Sequence, residues 1–190
     1  MPRWEPDARQ RLVSAALHLF SEQGYDATTV SEITQRAGLT KSTFFRHFPD
    51  KREVLAAGQE TLSRLLTEGI AAAPEGATPL TAVAAGLERA AEAMTPFNRE
   101  LGPRLSAVIA TSAELRERDQ LKHVGLAASM ADALRARGVP DPAATLAAEM
   151  GMLAFKDAFA AWVRPDNEQE LAALARAGLD RLQGALPELG

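Results

Sequence analysis

Lys41, Ser42, Thr43, Phe45 and Arg46 fall within one short stretch and carry side chains suited to reading nucleic acid. On a helix that starts at Lys41, Phe44 and Phe48 lie four apart and turn inward with Leu39. Lys41, Ser42, Phe45 and Arg46 then face out. Lys41 and Arg46 can donate to guanine O6/N7 or to a phosphate. Ser42 and Thr43 can bond base edges or phosphate, and the Thr43 methyl can meet a thymine methyl. Thr29 and Thr40 stand at two helix starts, where a hydroxyl and free amides suit phosphate oxygens. Solvation of a surface helix would explain any one of these side chains alone; the whole pattern points to DNA.

The elements that must hold this set are legible around it. Leu12, Ala15, Ala16, Leu19 and Phe20 recur at helical spacing between Asp7 and Gly24, where glycine supplies the stop. Thr29 opens a second helix, with Glu32 three residues on as its capping-box partner and Val30, Ile33 and Thr34 on its inner face. Gly38 ends it in a left-handed cap, and Thr40 caps the helix from Lys41 to His47. Two short helices joined by Ala37-Gly38-Leu39-Thr40 make a helix-turn-helix, whose second helix enters the major groove. Asp50 and Glu53 predict one long helix from Lys51 to about Ala73.

Further on, Thr78 and Pro79 restart a helix that stops before Thr95-Pro96. Helices are expected near 97–111, 113–137, 142–164 and 167–186, with Gly102-Pro103 able to kink or divide the first. The fold class is all-α, about nine helices. An N-terminal helix-turn-helix domain (1–54) is followed by a larger helical regulatory and dimerisation domain (55–190).

Composition agrees and excludes alternatives. The chain has 190 residues and no cysteine, which removes disulfides, thiol catalysis and cysteine-bound zinc. Net charge is -4, yet residues 1–52 hold eight basic and six acidic side chains, whereas the remainder holds thirteen and nineteen. Positive charge sits beside the reading helix and the acidic remainder is pushed from phosphate. Met1-Pro2-Arg3-Trp4-Glu5-Pro6 lacks the apolar core of a signal peptide, and no apolar run approaches the roughly 18 residues of a membrane span. The expectation is a cytoplasmic protein with no membrane partner.

These residues resemble the TetR family of bacterial transcriptional regulators. The likeness runs from about Arg9 to Leu55. It includes Ala15-Ala16-Leu17-His18-Leu19-Phe20, the turn Gly24 to Val30, Ile33 with Ala37-Gly38-Leu39, and Thr43 to Lys51. The resemblance implies that His47 and Lys51 grip the DNA backbone. It also marks a departure: the family often has Tyr, reaching a phosphate, where this chain has Phe45. Phe45 is then left with apolar contact to a thymine methyl or a sugar, or with packing against the first helix. Lys51 could instead pair with Glu53, a surface interaction worth only about 0–1 kcal/mol.

The body offers two apolar faces on one helix. Ala147, Gly151, Ala154, Ala158 and Ala161 form a small-residue stripe; Met152, Phe155, Phe159 and Trp162 form a bulky one. Two faces imply two partners, a core and a subunit interface. The family resemblance implies that the last two long helices pair with their copies in a four-helix bundle, which assigns Ala147, Gly151, Ala154, Ala158, Leu171, Leu174 and Leu182 to a dimer interface. Dimerisation also follows because one short helix reads too few bases, so a homodimer on a roughly palindromic double-stranded operator is expected. Phe97, Leu105, Ile109, Met130, Met152, Phe155, Phe159 and Trp162 are candidates to line an effector pocket, against ordinary core packing. Asn98, Arg104, His123, Lys156 and Asp157 are the polar candidates there. Few charges in that set point to a small, mostly hydrophobic effector.

No catalytic, metal or cofactor site is expected. His18, His47 and His123 are dispersed, and there is no glycine-rich phosphate loop or nucleophile motif. The reading is a ligand-responsive DNA-binding regulator, repression being the usual family outcome. The alternatives are an activator of the same fold and a dimeric sensor with vestigial DNA binding.

Overall fold

The structure, a computed structural model, describes residues 8–189, so the Asp7 helix start and the opening hexapeptide lie outside it. Within those residues the chain is helical throughout: α1 Ala8–Gln23, α2 Val30–Ala37, α3 Lys41–His47, α4 Gln59–Ala72, α5 Pro79–Glu92, α6 Pro96–Thr111, α7 Ala113–Ala136, α8 Asp141–Trp162 and α9 Leu171–Ala185. Short 3-10 turns cover Arg52–Ala56 and Leu186–Leu189. The chain divides into two compact units, residues 1–57 with 101–121 and residues 58–100 with 122–190.

In the first unit, Leu12, Ala15, Ala16, Leu17, Leu19 and Phe20 of α1 are buried, with Ile33, Phe44 and Phe48 beside them in the core. The capping box of α2 is complete. The Thr29 amide donates to Glu32 Oε2 at 2.8 Å, and the Glu32 amide to Thr29 Oγ1 at 3.3 Å. Gly38 adopts φ +64°, and the Leu39 amide returns to the Thr34 carbonyl at 2.8 Å. That left-handed residue turns the chain sharply from α2 into α3.

One expectation fails here. The helix read from Lys51 to Ala73 is broken into the 3-10 turn and α4, because Ala57 turns extended (ψ 125°) and Gly58 sits at φ +84°. The sequence signal was Gly58 itself, since that conformation is easy only for glycine. Asp50 does cap the turn, its Oδ1 accepting from the Arg52 and Glu53 amides at 2.8 and 3.0 Å. Glu53 does not reach back; its carboxylate is taken by Arg118.

The second unit is built around α4, α5, α8, α9 and the C-terminal part of α7. Leu66, Ile70, Val83, Leu87, Leu126, Met130 and Leu134 are buried together with the inner face of α8. Helices α4 and α5 touch backbone to backbone: a Cβ at Gly86 would lie 2.7 Å from the Leu66 carbonyl oxygen. Helix α6 continues through Pro103 without dividing. Helix α9 starts at Leu171 rather than 167, because the Asn167 side chain accepts from the Gln169 amide at 3.2 Å and donates to its carbonyl at 2.8 Å, a local turn that competes with helix.

Candidate nucleic-acid interface

Helix α3 is positioned from within. Phe44 and Phe48 are almost wholly buried, with ring centroids 5.6 Å apart. Thr40 caps its start by accepting from the Thr43 amide at 3.2 Å, and the two hydroxyls lie 3.0 Å apart. The helix can therefore neither roll nor slide without emptying a core position. Lys41, Ser42, Phe45 and Arg46 face outward and are exposed, with Thr43 and His47 half-buried beside them.

Phe45 is 55 % exposed. Its ring meets Phe44 edge-on, with centroids 5.4 Å apart and planes at 83°. An exposed aromatic with its edge fixed presents a pre-set apolar surface, in a helix whose other outward groups are polar.

Thr29 is placed differently from the expectation. Its amide and hydroxyl both donate to the Glu32 carboxylate, at 2.8 and 2.7 Å. Those donors hold the Glu32 carboxyl below its ordinary range. The start of α2 already carries its own anion, and a phosphate there must compete with it. Lys51 is also engaged: its ammonium donates to the backbone carbonyls of Tyr25 and Thr28 at 2.7 and 3.0 Å and lies 4.2 Å from the Tyr25 ring centroid.

Around this surface lie ion pairs that fix the unit. Arg36 donates to Glu22 through Nη1 and Nη2, which lowers the Glu22 carboxyl. Arg118 Nε and Nη2 donate to Glu53 Oε1 and Oε2 at 2.7 and 2.8 Å, and this lowers the Glu53 carboxyl. Tyr25 is buried and its hydroxyl donates to Glu114 Oε1 at 3.2 Å; burial first, then the Glu114 charge, raises its pKa. Helix α7 thus anchors the turn after α1 and the 3-10 turn after α3.

The residues set aside for an effector are distributed between the units. Met130, Met152, Phe155 and Trp162 are buried in one core, with Phe159 packed against it. Phe97 is half-buried in the same unit, while Leu105 and Ile109 are half-buried in the first. Of the polar candidates, Lys156 and Asp157 are exposed and need no buried partner, and Asn98 accepts from the Thr95 amide at 2.9 Å as a local cap. Arg104 and His123 are half-buried.

The residues set aside for a dimer interface lie largely on inward-facing positions of the second unit. Ala147, Gly151, Ala154, Ala158 and Leu171 are buried inside the chain's own second unit, and Leu174 and Leu182 pack partly against it. A Cβ on Gly151 would lie 2.4 Å from Val83 Cγ1, and Gly178 of α9 rests on Ala154. The small stripe serves close packing within the chain. Sequence reasoning missed the outward face of α8, where Leu146 and Leu153 are 53 % and 47 % exposed. Their seven-residue spacing was the available signal.

Among the described residues no group of His, Asp and Glu could hold a metal ion, and no helix is long and apolar enough to cross a membrane.

Comparison with known proteins bears on this geometry. Residues 12–57 match the model of the bacterial regulatory proteins, tetR family. The HTH-type transcriptional regulator TcmR of Streptomyces glaucescens is 36 % identical over 75 residues, 40 % of this chain and 33 % of that protein. The chain thus matches about a third of that relative's length. The fold of the whole chain resembles FadR of Thermus thermophilus, described as a transcriptional repressor in complex with lauroyl-CoA (TM-score 0.57, 22 % identity, 94 % of each chain). It also resembles SmeT of Stenotrophomonas maltophilia in complex with triclosan (TM-score 0.56, 24 % identity, 94 % of this chain and 90 % of that one). The helix-turn-helix geometry, the match of residues 12–57 and the all-helical fold agree: this chain carries the DNA-binding domain of the TetR family of bacterial regulatory proteins.

Proposed function

We propose that this protein is a homodimeric DNA-binding transcriptional repressor, released from a roughly palindromic operator by a small, mostly hydrophobic effector. The observation that carries the reading is the outward face of α3. Lys41, Ser42, Phe45 and Arg46 stand exposed on a helix locked from behind by Phe44 and Phe48. Base-edge donors at Lys41 and Arg46 supply direct readout, with Thr43 beside them. Thr40 and His47 face the backbone, and Thr29 contributes only where phosphate displaces the Glu32 carboxylate.

A single seven-residue helix reads too few base pairs, and two copies spaced by about one or more helical turns supply the missing affinity. The exposed Leu146 and Leu153 of α8 are the proposed core of the subunit contact. The effector class rests on the apolar character of Met130, Met152, Phe155, Phe159 and Trp162. It is supported by the triclosan complex of the similarly folded SmeT.

The switch needs a continuous element. The helix read from Lys51 onward is interrupted at Gly58, whereas α7 runs unbroken from Ala113 to Ala136. Its first residues hold Glu53 and Tyr25 of the reading unit, and Met130 near its end lies in the core of the other. We assign the lever to α7. An effector acts through it only by binding the DNA-incompetent arrangement more tightly, typically by about 1–3 kcal/mol. Selection from random-sequence duplexes followed by a mobility shift tests the reading: enrichment of a two-fold symmetric site supports it, and failure to enrich any sequence rejects it.

A further inference from the structure

We infer that Lys51 is a positioning residue for DNA reading, tying down the turn between α1 and α2 instead of gripping a phosphate. The inference rests on the proposed DNA-binding function for its consequence, though not for its geometry. A lysine ammonium has three donors and no acceptor. Here three carbonyls surround it: Tyr25 at 2.7 Å, Thr28 at 3.0 Å and Asp26, more distantly, at 3.4 Å. The ammonium also lies 4.2 Å from the Tyr25 ring centroid, a cation–π contact. A phosphate oxygen could be met only by giving up one of these partners.

The turn that Lys51 holds is itself built to be held. Tyr25 and Thr28 are buried, the Thr28 hydroxyl donates to the Gly24 carbonyl at 2.7 Å, and the Tyr25 ring packs edge-on against Phe20. The carbonyls of Tyr25, Asp26 and Thr28 lie outside helices; that of Tyr25 also accepts from the Thr28 amide at 3.2 Å, and the ammonium reaches all three. Thr29, the cap of α2, follows directly, so the position of this turn sets where α2 begins. Helix α2 supports α3 through the Gly38 turn. Lys51 sits just beyond α3, so one side chain closes the unit from its last part back to its first. Lys41 and Arg46 differ in kind: both are exposed on the reading face.

The two roles separate in experiment. Lys51→Met keeps the stem and removes the donors. In the full chain, on the selected operator and on an unrelated duplex, we expect at least tenfold weaker operator binding with little change on unrelated DNA. The slope of log affinity against log salt should stay that of the wild type. Amide hydrogens from Thr28 to Glu32 should exchange at least tenfold faster without DNA. Equal losses on both duplexes, a slope reduced by about 0.9 and unchanged exchange would establish a phosphate grip and overturn the inference. A wild-type measurement covers the case in which the variant does not fold. Under limiting acetylation of the free protein, Lys51 should react at least tenfold more slowly than Lys41; equal rates refute the tie. If no duplex is bound by the wild type, the functional proposal fails, while the exchange and acetylation results still decide the role of Lys51 in the fold.

Discussion

Arg118 holds Glu53 by two parallel N–H···O bonds of 2.7 and 2.8 Å, across 65 residues of sequence. Both side chains are mostly covered, 16 % and 24 % exposed, so solvent screens the pair less than a surface bridge. This is the bidentate geometry in which arginine binds carboxylate most strongly.

Removing it should be felt. Arg118→Met is expected to lower unfolding free energy by about 1–3 kcal/mol at neutral pH, the usual scale for hydrogen bonds to charged groups. The Glu53 carboxyl is lowered in the folded protein. Its contribution is therefore complete above the ordinary carboxylate pKa of about 4.3 and is lost as pH falls through the lowered value. Chemical denaturation from pH 7 to pH 3 should show a shallower acid loss in Arg118→Met than in wild type; identical acid limbs would contradict the assignment.

Much of the reading unit was legible because its signals are local. Thr29 with Glu32, Gly38 as a left-handed stop, and Phe44 and Phe48 four apart each act within one or two helical turns, where spacing dictates geometry. What was not legible depends on distance in sequence. Nothing near Lys51 announces that its ammonium folds back on carbonyls more than twenty residues upstream. Nothing near Glu53 announces Arg118. The small stripe of α8 was visible, but its partner was not: periodicity finds an apolar face without saying whether it packs on Val83 of the same chain or on a second copy.

Gly58 separates the 3-10 turn from α4 at φ +84°, with open space where a Cβ would stand. The cost of a side chain there is conformational alone. Gly58→Ala should lose about 1–2 kcal/mol of stability. A thermal melt of Gly58→Ala that matches wild type would mean the backbone does not need the left-handed conformation.

Gly86 tests steric contact instead. Its backbone is not left-handed, but an added Cβ meets the Leu66 carbonyl oxygen at 2.7 Å, and backbone yields poorly. Gly86→Ala is expected to cost about 1–3 kcal/mol by overpacking. Urea denaturation with an unchanged midpoint would refute backbone contact between α4 and α5.

Leu153 is apolar, half-exposed and seven residues from Leu146 on the outward face of α8. Leu153→Arg should convert the proposed dimer to monomer in sedimentation at micromolar concentration and weaken operator binding with it. A dimer that survives Leu153→Arg would move the interface elsewhere.

Phe45 has no hydroxyl to reach a phosphate and stands 55 % exposed. Phe45→Ala should weaken operator binding about tenfold, or about 1.4 kcal/mol. Phe45→Tyr should keep or strengthen it. A DNA titration in which Phe45→Ala binds as wild type would remove the aromatic contact.

The central claim is that the exposed face of α3 reads DNA. The most direct measurement is titration of the selected operator with the wild type and with the Lys41→Ala/Arg46→Ala double variant at several salt concentrations. The double variant should lose at least a hundredfold in operator affinity, approach its affinity for unrelated DNA, and keep its thermal melt. Unchanged discrimination between operator and unrelated DNA in a folded double variant would contradict α3 as the reader.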